Sequence, residues 1–366
     1  MGWADTAGYA PAVQEMAALV VTQLPVGEAS VVWERLTGVK PPRAPLDREA
    51  PRQGQRAPAR RRPLDRPATA PPQEKQQPEL GWDPCQMILQ IDAWNMRERD
   101  AWGVPAARRG HGQEPGRWHW VYPGTVFGLD HRGQTAGGRP VTSERGFVAT
   151  RAGSDGVRAQ LPAEALRRGR GQAAGALVIA DGAVGIWRLA HDRFPPARQR
   201  LDFYRAAQHL AAVGRALFGE EAQQLKAGLP PWVQQRKNES AGKGIRQWED
   251  LLQSPPPPGP AAQAVVRREG NYLHAPQARR DDRAGRRRGE PIGSGPVEAT
   301  CRRSQGRFKR PGQFWSATGD EALLRWEMLW RNGRRHLLFP HAAPFAPAKT
   351  RMRTEPTARK LAACAR

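Results

Sequence analysis

The sequence predicts an α/β fold: a mixed sheet with helices on both faces, interrupted by an insertion and preceded by a small helical region. Three observations carry this. Three strand-like runs come early, at Met87–Asp92, Trp118–Leu129 and Arg145–Thr150. From residue 161 onward, helix and strand periods alternate. The gap from Asp181 to Glu298 then far exceeds one strand-helix unit, so further structure is inserted between them.

The elements follow in order. Residues 10–38 read as two short helices. Val13, Met16, Ala17 and Val20 recur at helical spacing, and Pro25 interrupts them. Ala29, Val32, Trp33 and Leu36 then resume the period as far as Gly38, a helix stop. This first region, 1–40, suits a helix-turn-helix and equally suits any helical hairpin. Residues 41–80 are rich in Pro and Arg and hold no aromatic residue. Such a segment buries too little apolar surface to offset its ordering entropy. It reads as a linker, helical in part, with Arg60-Arg61-Arg62 able to touch phosphates.

The first part of the core spans 81–204. After its early strands come a helix at Leu161–Arg168, a buried strand at Ala176–Ala180 and a helix at Ala183–Arg193. A short strand at Arg198–Phe203 leads into a helix at Tyr204–Phe218. A break is expected in the second strand near Pro123-Gly124. The insertion spans 205–290. Its residues 225–290 show little periodicity, with a stiff Pro255–Pro258 run and a dense charge run from Arg279 to Arg288. The core resumes over 291–336. Pro296 suits a first helical position, which sets Glu298 in the first turn. A last helix, Thr318–Trp330, carries Leu323, Trp326 and Trp330 on one face. The 337–366 tail is basic and reads as loose.

The formal net charge of the 366 residues is +23, from 58 basic and 35 acidic side chains. Such an imbalance makes a polyanion, above all nucleic acid, the expected partner. No apolar run reaches the ~18 residues of a membrane span, so no membrane partner is expected. Cys85, Cys301 and Cys364 are far apart and odd in number, which gives neither a metal pair nor a disulfide framework. A cytoplasmic, nucleoid-associated location follows as the expectation.

Asp92 and Asp181 each close an apolar run, and Glu298 opens a helix after the Gly-rich turn Pro291-Ile292-Gly293-Ser294-Gly295. Three carboxylates from rigid, separate elements can hold two Mg²⁺ (or Mn²⁺) ions, the pair that phosphodiester chemistry uses. Each acid alone is served as well by a plainer role: a turn former or helix cap for either Asp, or a complement to the helix dipole for Glu298. Asp202, also at a strand end, is an accessory candidate whose plainer role is a helix cap. His209, inside the next helix, is a weaker one. Arg302, Arg303, Arg307, Lys309 and Arg310 interleave with aromatics up to Trp315, an arrangement that suits phosphates and opened bases and equally suits a basic helix end over core rings.

Five collinear blocks resemble the IS-Kra group of bacterial insertion-sequence transposases. They are Gln90–Asp100, Ala180-Asp181-Gly182-Ala183 with Ile186-Trp187, Leu201-Asp202-Phe203-Tyr204, Pro291–Glu298 and Arg307–Ser316. The resemblance runs from roughly residue 8 to 336. It implies a DDE transposase with a ribonuclease H-like core, a mainly helical insertion before the final Glu, an N-terminal DNA-binding region, catalytic and metal-holding acids at Asp92, Asp181 and Glu298, and work as a homo-oligomer on DNA. The DNA would be the element's terminal inverted repeats and the target. The chain departs from the pattern at Arg205, where the group has His after Asp-Phe-Tyr. A catalytically decayed copy that only binds DNA, and a stand-alone structure-specific nuclease, are the competing readings.

Overall fold

The structure, a computed structural model, describes residues 10–61, 86–99, 116–135, 137–138, 140–171, 173–219, 259–273, 279 and 282–339. The Pro255–Pro258 run, the Arg60–Arg62 side chains, Cys85, Cys364, Arg280, Asp281 and the tail beyond 339 lie outside these residues.

A mixed sheet is built from β1 (Gln86–Ile91), β3 (Arg117–Gly128), β6 (Gly146–Thr150), β7 (Gly175–Ala180) and β8 (Arg198–Leu201), in the order β6-β3-β1-β7-β8. β3 runs antiparallel to both β1 and β6, while β1, β7 and β8 are mutually parallel. A fourth early strand, β2 (Trp94–Glu98), was not legible in the sequence. It prolongs β1 along β3 in one register, Ile91↔Gly124 and then Trp94↔Val121.

The interruption between β1 and β2 has a cause in the sequence. The Asp92 N–H donates to the Pro123 carbonyl (3.2 Å), but Pro123 has no N–H to return. The ladder lapses at that pair, and the chain leaves the strand at Asp92. The break expected in β3 thus falls on its partner, and β3 itself is continuous. A small hairpin of β4 (Arg132–Gln134) and β5 (Pro140–Thr142) joins β3 to β6.

Three helices cover one face of the sheet. α4 (Gly153–Arg167), α5 (Val184–Arg193) and α6 (Phe203–Phe218) bury Leu161, Ile186, Leu189 and Leu210 against Leu89, Val126 and Val178 of the sheet. Hydrophobic burial of this kind, at ~25 cal/mol per Å², is the main favourable contribution to such a layer. The 225–290 segment does contain helices, α7 (Pro260–Leu273) and the short α8 (Asp282–Arg287), and α7 packs along α6.

The N-terminal segment forms α1 (Pro11–Gln23) and α2 (Val26–Thr37), with Gly38 in the left-handed region at φ 72°. The expected linker at 41–80 is corrected over its first part, where α3 (Arg43–Arg61) is a 19-residue helix with Leu46 and Ala50 buried. Its few apolar residues suffice because they meet a ready surface. That surface is α10 (Ala317–Arg331), which α3 approaches so closely that a Cβ on Gly54 would stand 1.7 Å from the Ala322 carbonyl oxygen. Trp33, Leu46, Trp326 and Leu329 thus share one core with Trp94 and Met96 of β2 and with Val297 and Phe308 of α9 (Gly295–Phe308). Leu338 and Phe339, at the start of the expected tail, are buried in it too.

Under this core Glu98 and Asp320 lie together, both buried. Burial and a hydrogen bond shared with Glu98 push the Asp320 carboxyl up to about 8. Burial also acts to raise Glu98, but bonds from Asp320 and Arg151 outweigh it and hold Glu98 low. One proton is therefore shared and resides on Asp320. The folded pKa of Asp320 lies above its ordinary value of about 4. Its contribution is then fully present below that value and is lost as pH rises toward 8. Asp320→Asn, which keeps the shape and carries no titrating proton, is expected to flatten the fall in melting temperature between about pH 5 and 8. A slope as steep as the parent's would mean that the proton sits elsewhere.

Candidate active site

Asp92, Asp181 and Glu298 line one cleft of about 490 Å³, together with Trp120, Tyr122, Arg205, Gln208 and Ser294. All three acids are half-buried. Asp92 stands where β1 breaks, Asp181 follows β7, the parallel neighbour of β1, and Glu298 lies in the first turn of α9.

Each carboxylate is held by its own donor. Asp92 Oδ1 accepts from the Ala93 N–H (2.8 Å), and its Oδ2 from the Cys301 thiol (3.2 Å). Asp181 Oδ1 accepts from the Ala183 N–H (3.1 Å), and Glu298 Oε1 from the Ser294 hydroxyl (2.9 Å). Burial raises the Asp92 carboxyl above its usual range. The Ala93 and Cys301 hydrogen bonds oppose this, and the charges on Asp181 and Glu298 add to it. That mutual repulsion marks the acids as electrostatic neighbours. Burial, reinforced by Asp92, pushes the Cys301 thiol far up, so it serves as a protonated donor.

The α9 start is docked by polar groups that the sequence reading passed over. Gln90, inside the apolar run of β1, donates to the Gly293 carbonyl (3.1 Å) and accepts from the Val297 N–H (3.2 Å). A lone amide inside the apolar run Met87–Ile91 was the available signal. Cys301 follows Glu298 by three residues and so shares its helix face. Glu290 gathers Arg198, Arg200 and Arg288 and anchors the chain just before Pro291.

The accessory candidates separate. Asp202 is buried and caps α6 through the Arg205 N–H (2.7 Å); its other oxygen accepts from the Ser294 N–H. It therefore fixes the α9 loop and does not line the cleft. His209 also lies off the cleft. It pairs with Glu269 of α7 and stacks on Tyr272 at 3.5 Å. Tyr272 in turn donates to the Asp181 carbonyl, so the insertion braces this turn. Gly182 has φ 108°, and a Cβ there would stand 2.7 Å from the Tyr272 ring. Arg205 lines the cleft, with its guanidinium on Gln208 (3.2 Å).

The basic set divides as well. Arg302 and Arg303 are exposed on α9, and Lys309 is exposed beside Asn95 (2.9 Å). Arg310 is tied to Glu28 of α2. Arg307 is buried, donates to the Val21 carbonyl (2.9 Å) and is lowered to about 10 by burial. Its expected contact with DNA is corrected: a side chain enclosed between α9 and α1 cannot reach a phosphate.

The three carboxylates are hard oxygen donors of the type Mg²⁺ takes. Among the described residues no three His, Cys, Asp or Glu side chains converge on a single ligating point. The donor chemistry and common cleft fit a divalent ion, and side-chain rotation within the cleft would have to close the set. No helix among the described residues is long and apolar enough to cross a membrane. Comparison with protein families and with curated proteins returns no match.

Proposed function

We propose that the chain is a metal-dependent DNA strand-cutting and strand-transferring enzyme, a DDE-type transposase on a ribonuclease H-like core. The observation that carries this is the meeting of Asp92, Asp181 and Glu298, far apart in sequence, around one cleft. The strand order β6-β3-β1-β7-β8, with an acid after β1 and another after β7, supports the core assignment. Two divalent cations, when bound, would neutralise charge on the attacking and leaving oxygens of the phosphodiester.

The chain's own residues do the rest. Asp92, Asp181 and Glu298 would hold the ions. Cys301 and the Ala93 N–H orient Asp92, and Ser294 orients Glu298. Gln90 and Asp202 hold the α9 loop against the sheet, so the third acid meets the first two. Arg205, a cation facing the same cleft, would neutralise a phosphate of the bound strand. Partners would be the element's inverted terminal repeats and target DNA, bound by a homo-oligomer.

A second reading, a chain that binds element ends without cutting them, is favoured by one residue: Arg205 stands where the resembling group has His. The test is direct. Purified protein with DNA carrying the element's own ends is expected to nick at the terminus in Mg²⁺ or Mn²⁺ and to join the freed 3′-hydroxyl to a second duplex. Salt-sensitive binding with neither product in either metal would establish the second reading in place of the first.

A further inference from the structure

We infer that the outer face of the β2–β3 ribbon is a stacking platform for unpaired nucleotides, leading a single strand into the carboxylate cleft. The inference rests on the cleft being where a strand is cut. Trp118, Trp120 and Tyr122 alternate along β3 and so share one face. Trp118 and Trp120 are 56% and 52% exposed, whereas Val121, between Trp120 and Tyr122, is fully buried on the other face. Indoles are costly to leave in water and usually find a ring or partner. Trp120 and Tyr122 line the cleft itself, so the strip is continuous with the acids.

Cations flank Trp118. Arg97 lies directly across from Trp118 in the β2–β3 register, with its guanidinium 5.2 Å from the Trp118 centroid. The Lys309 ammonium stands 5.6 Å from the same centroid. Ring faces bordered by positive charge are the equipment of single-strand binding, where bases stack and phosphates are neutralised. A protein partner would gain from the indoles but not from cations placed at their faces.

Spacing argues for an opened strand. Side chains two residues apart on a strand are ~6.6–6.8 Å apart. Nucleotides in a duplex rise ~3.4 Å per strand, with their faces already covered by neighbours. Successive indoles therefore suit bases that have been unstacked and drawn apart, as they are when the end of a duplex frays beside a cutting site.

The experiment measures binding of a 5′-labelled oligothymidylate and of a random-sequence duplex, both in EDTA. Trp118→Ala and Trp120→Ala are each expected to weaken oligothymidylate binding about tenfold, with duplex binding changed less than about twofold. Trp118→Phe, which keeps a ring, is expected to restore most of the loss. Equal losses on both DNAs, or none on either, would overturn the inference. So would a loss of self-association with single-strand affinity intact, which would make the strip a contact between copies. The binding assay runs in EDTA and reads no cleavage, so failure of the platform is seen apart from failure of the cutting reading, which the nicking assay tests.

Discussion

Asp181→Asn is expected to reduce Mg²⁺-dependent nicking of element ends by about a thousandfold, equivalent to ~4 kcal/mol of barrier. Affinity for the same DNA should stay within about twofold. Asparagine keeps the size of the side chain and can still accept the Ala183 N–H that orients Asp181. What it removes is the negative charge that a divalent ion requires. The turn itself should survive, because Gly182 and the Tyr272 hydroxyl hold its backbone. Glu298→Gln is expected to behave alike, since glutamine can still accept from the Ser294 hydroxyl. Single-turnover cleavage of labelled ends, with binding followed in parallel by anisotropy, separates the two quantities. Nicking at the parent's rate in either variant would remove that acid from the site.

The largest effect on stability is expected at Glu164. Its carboxylate is fully buried in α4 and accepts two bonds from Arg334, at 2.6 and 3.0 Å, and one from Arg168 at 3.1 Å, with Arg167 at 3.4 Å. Burial acts to raise its pKa, but the charges and bonds of Arg334, Arg168 and Arg167 outweigh burial and hold it low. Glu164→Ala leaves three enclosed guanidinium groups without their anion, a change expected to cost ~3–5 kcal/mol. It also frees the segment after α10 from α4. Because the folded pKa is depressed, the stabilisation is present above the ordinary Glu value and is lost as pH falls through the folded one. The parent should therefore lose stability in acid more steeply than the variant. Urea unfolding at pH 7 and at pH 4 measures both effects, and a midpoint unchanged at pH 7 would show that the arginines find other partners.

Much of the sheet was legible because its strands are buried on both faces and read as unbroken apolar runs, as in Ala176–Ala180. Asp92 and Asp181 stood out for the same reason, since a charge ends each run, whereas Glu298 was picked out by the Gly-rich turn before its helix. β2 was not legible. Its alternation of Trp94 and Met96 with Asn95 and Arg97 is the pattern of a half-buried strand, but it spans only five residues and no turn signal separates it from Asp92. The part-helical linker gave no sign of a helix as long and as packed as α3, because propensity misleads when tertiary contact decides: Pro45, Pro51 and Pro58 argue against a helix that α10 nevertheless holds. Arg307 was misjudged because a basic run in sequence does not say which of its members turns inward. Arg302, Arg303 and Lys309 stay outside, while Arg307 closes the contact with α1.

The shared core of the first three helices and α10 bears on how the protein is made. On the ribosome, α1–α3 emerge long before the surface they cover. At ~5–20 residues per second, α10 follows tens of seconds later. Through that interval Trp33, Leu46 and the bare flank around Gly54 must wait in water or in the grip of a chaperone. A message truncated ahead of α10 would yield a chain whose beginning never finds its seat and is prone to clump.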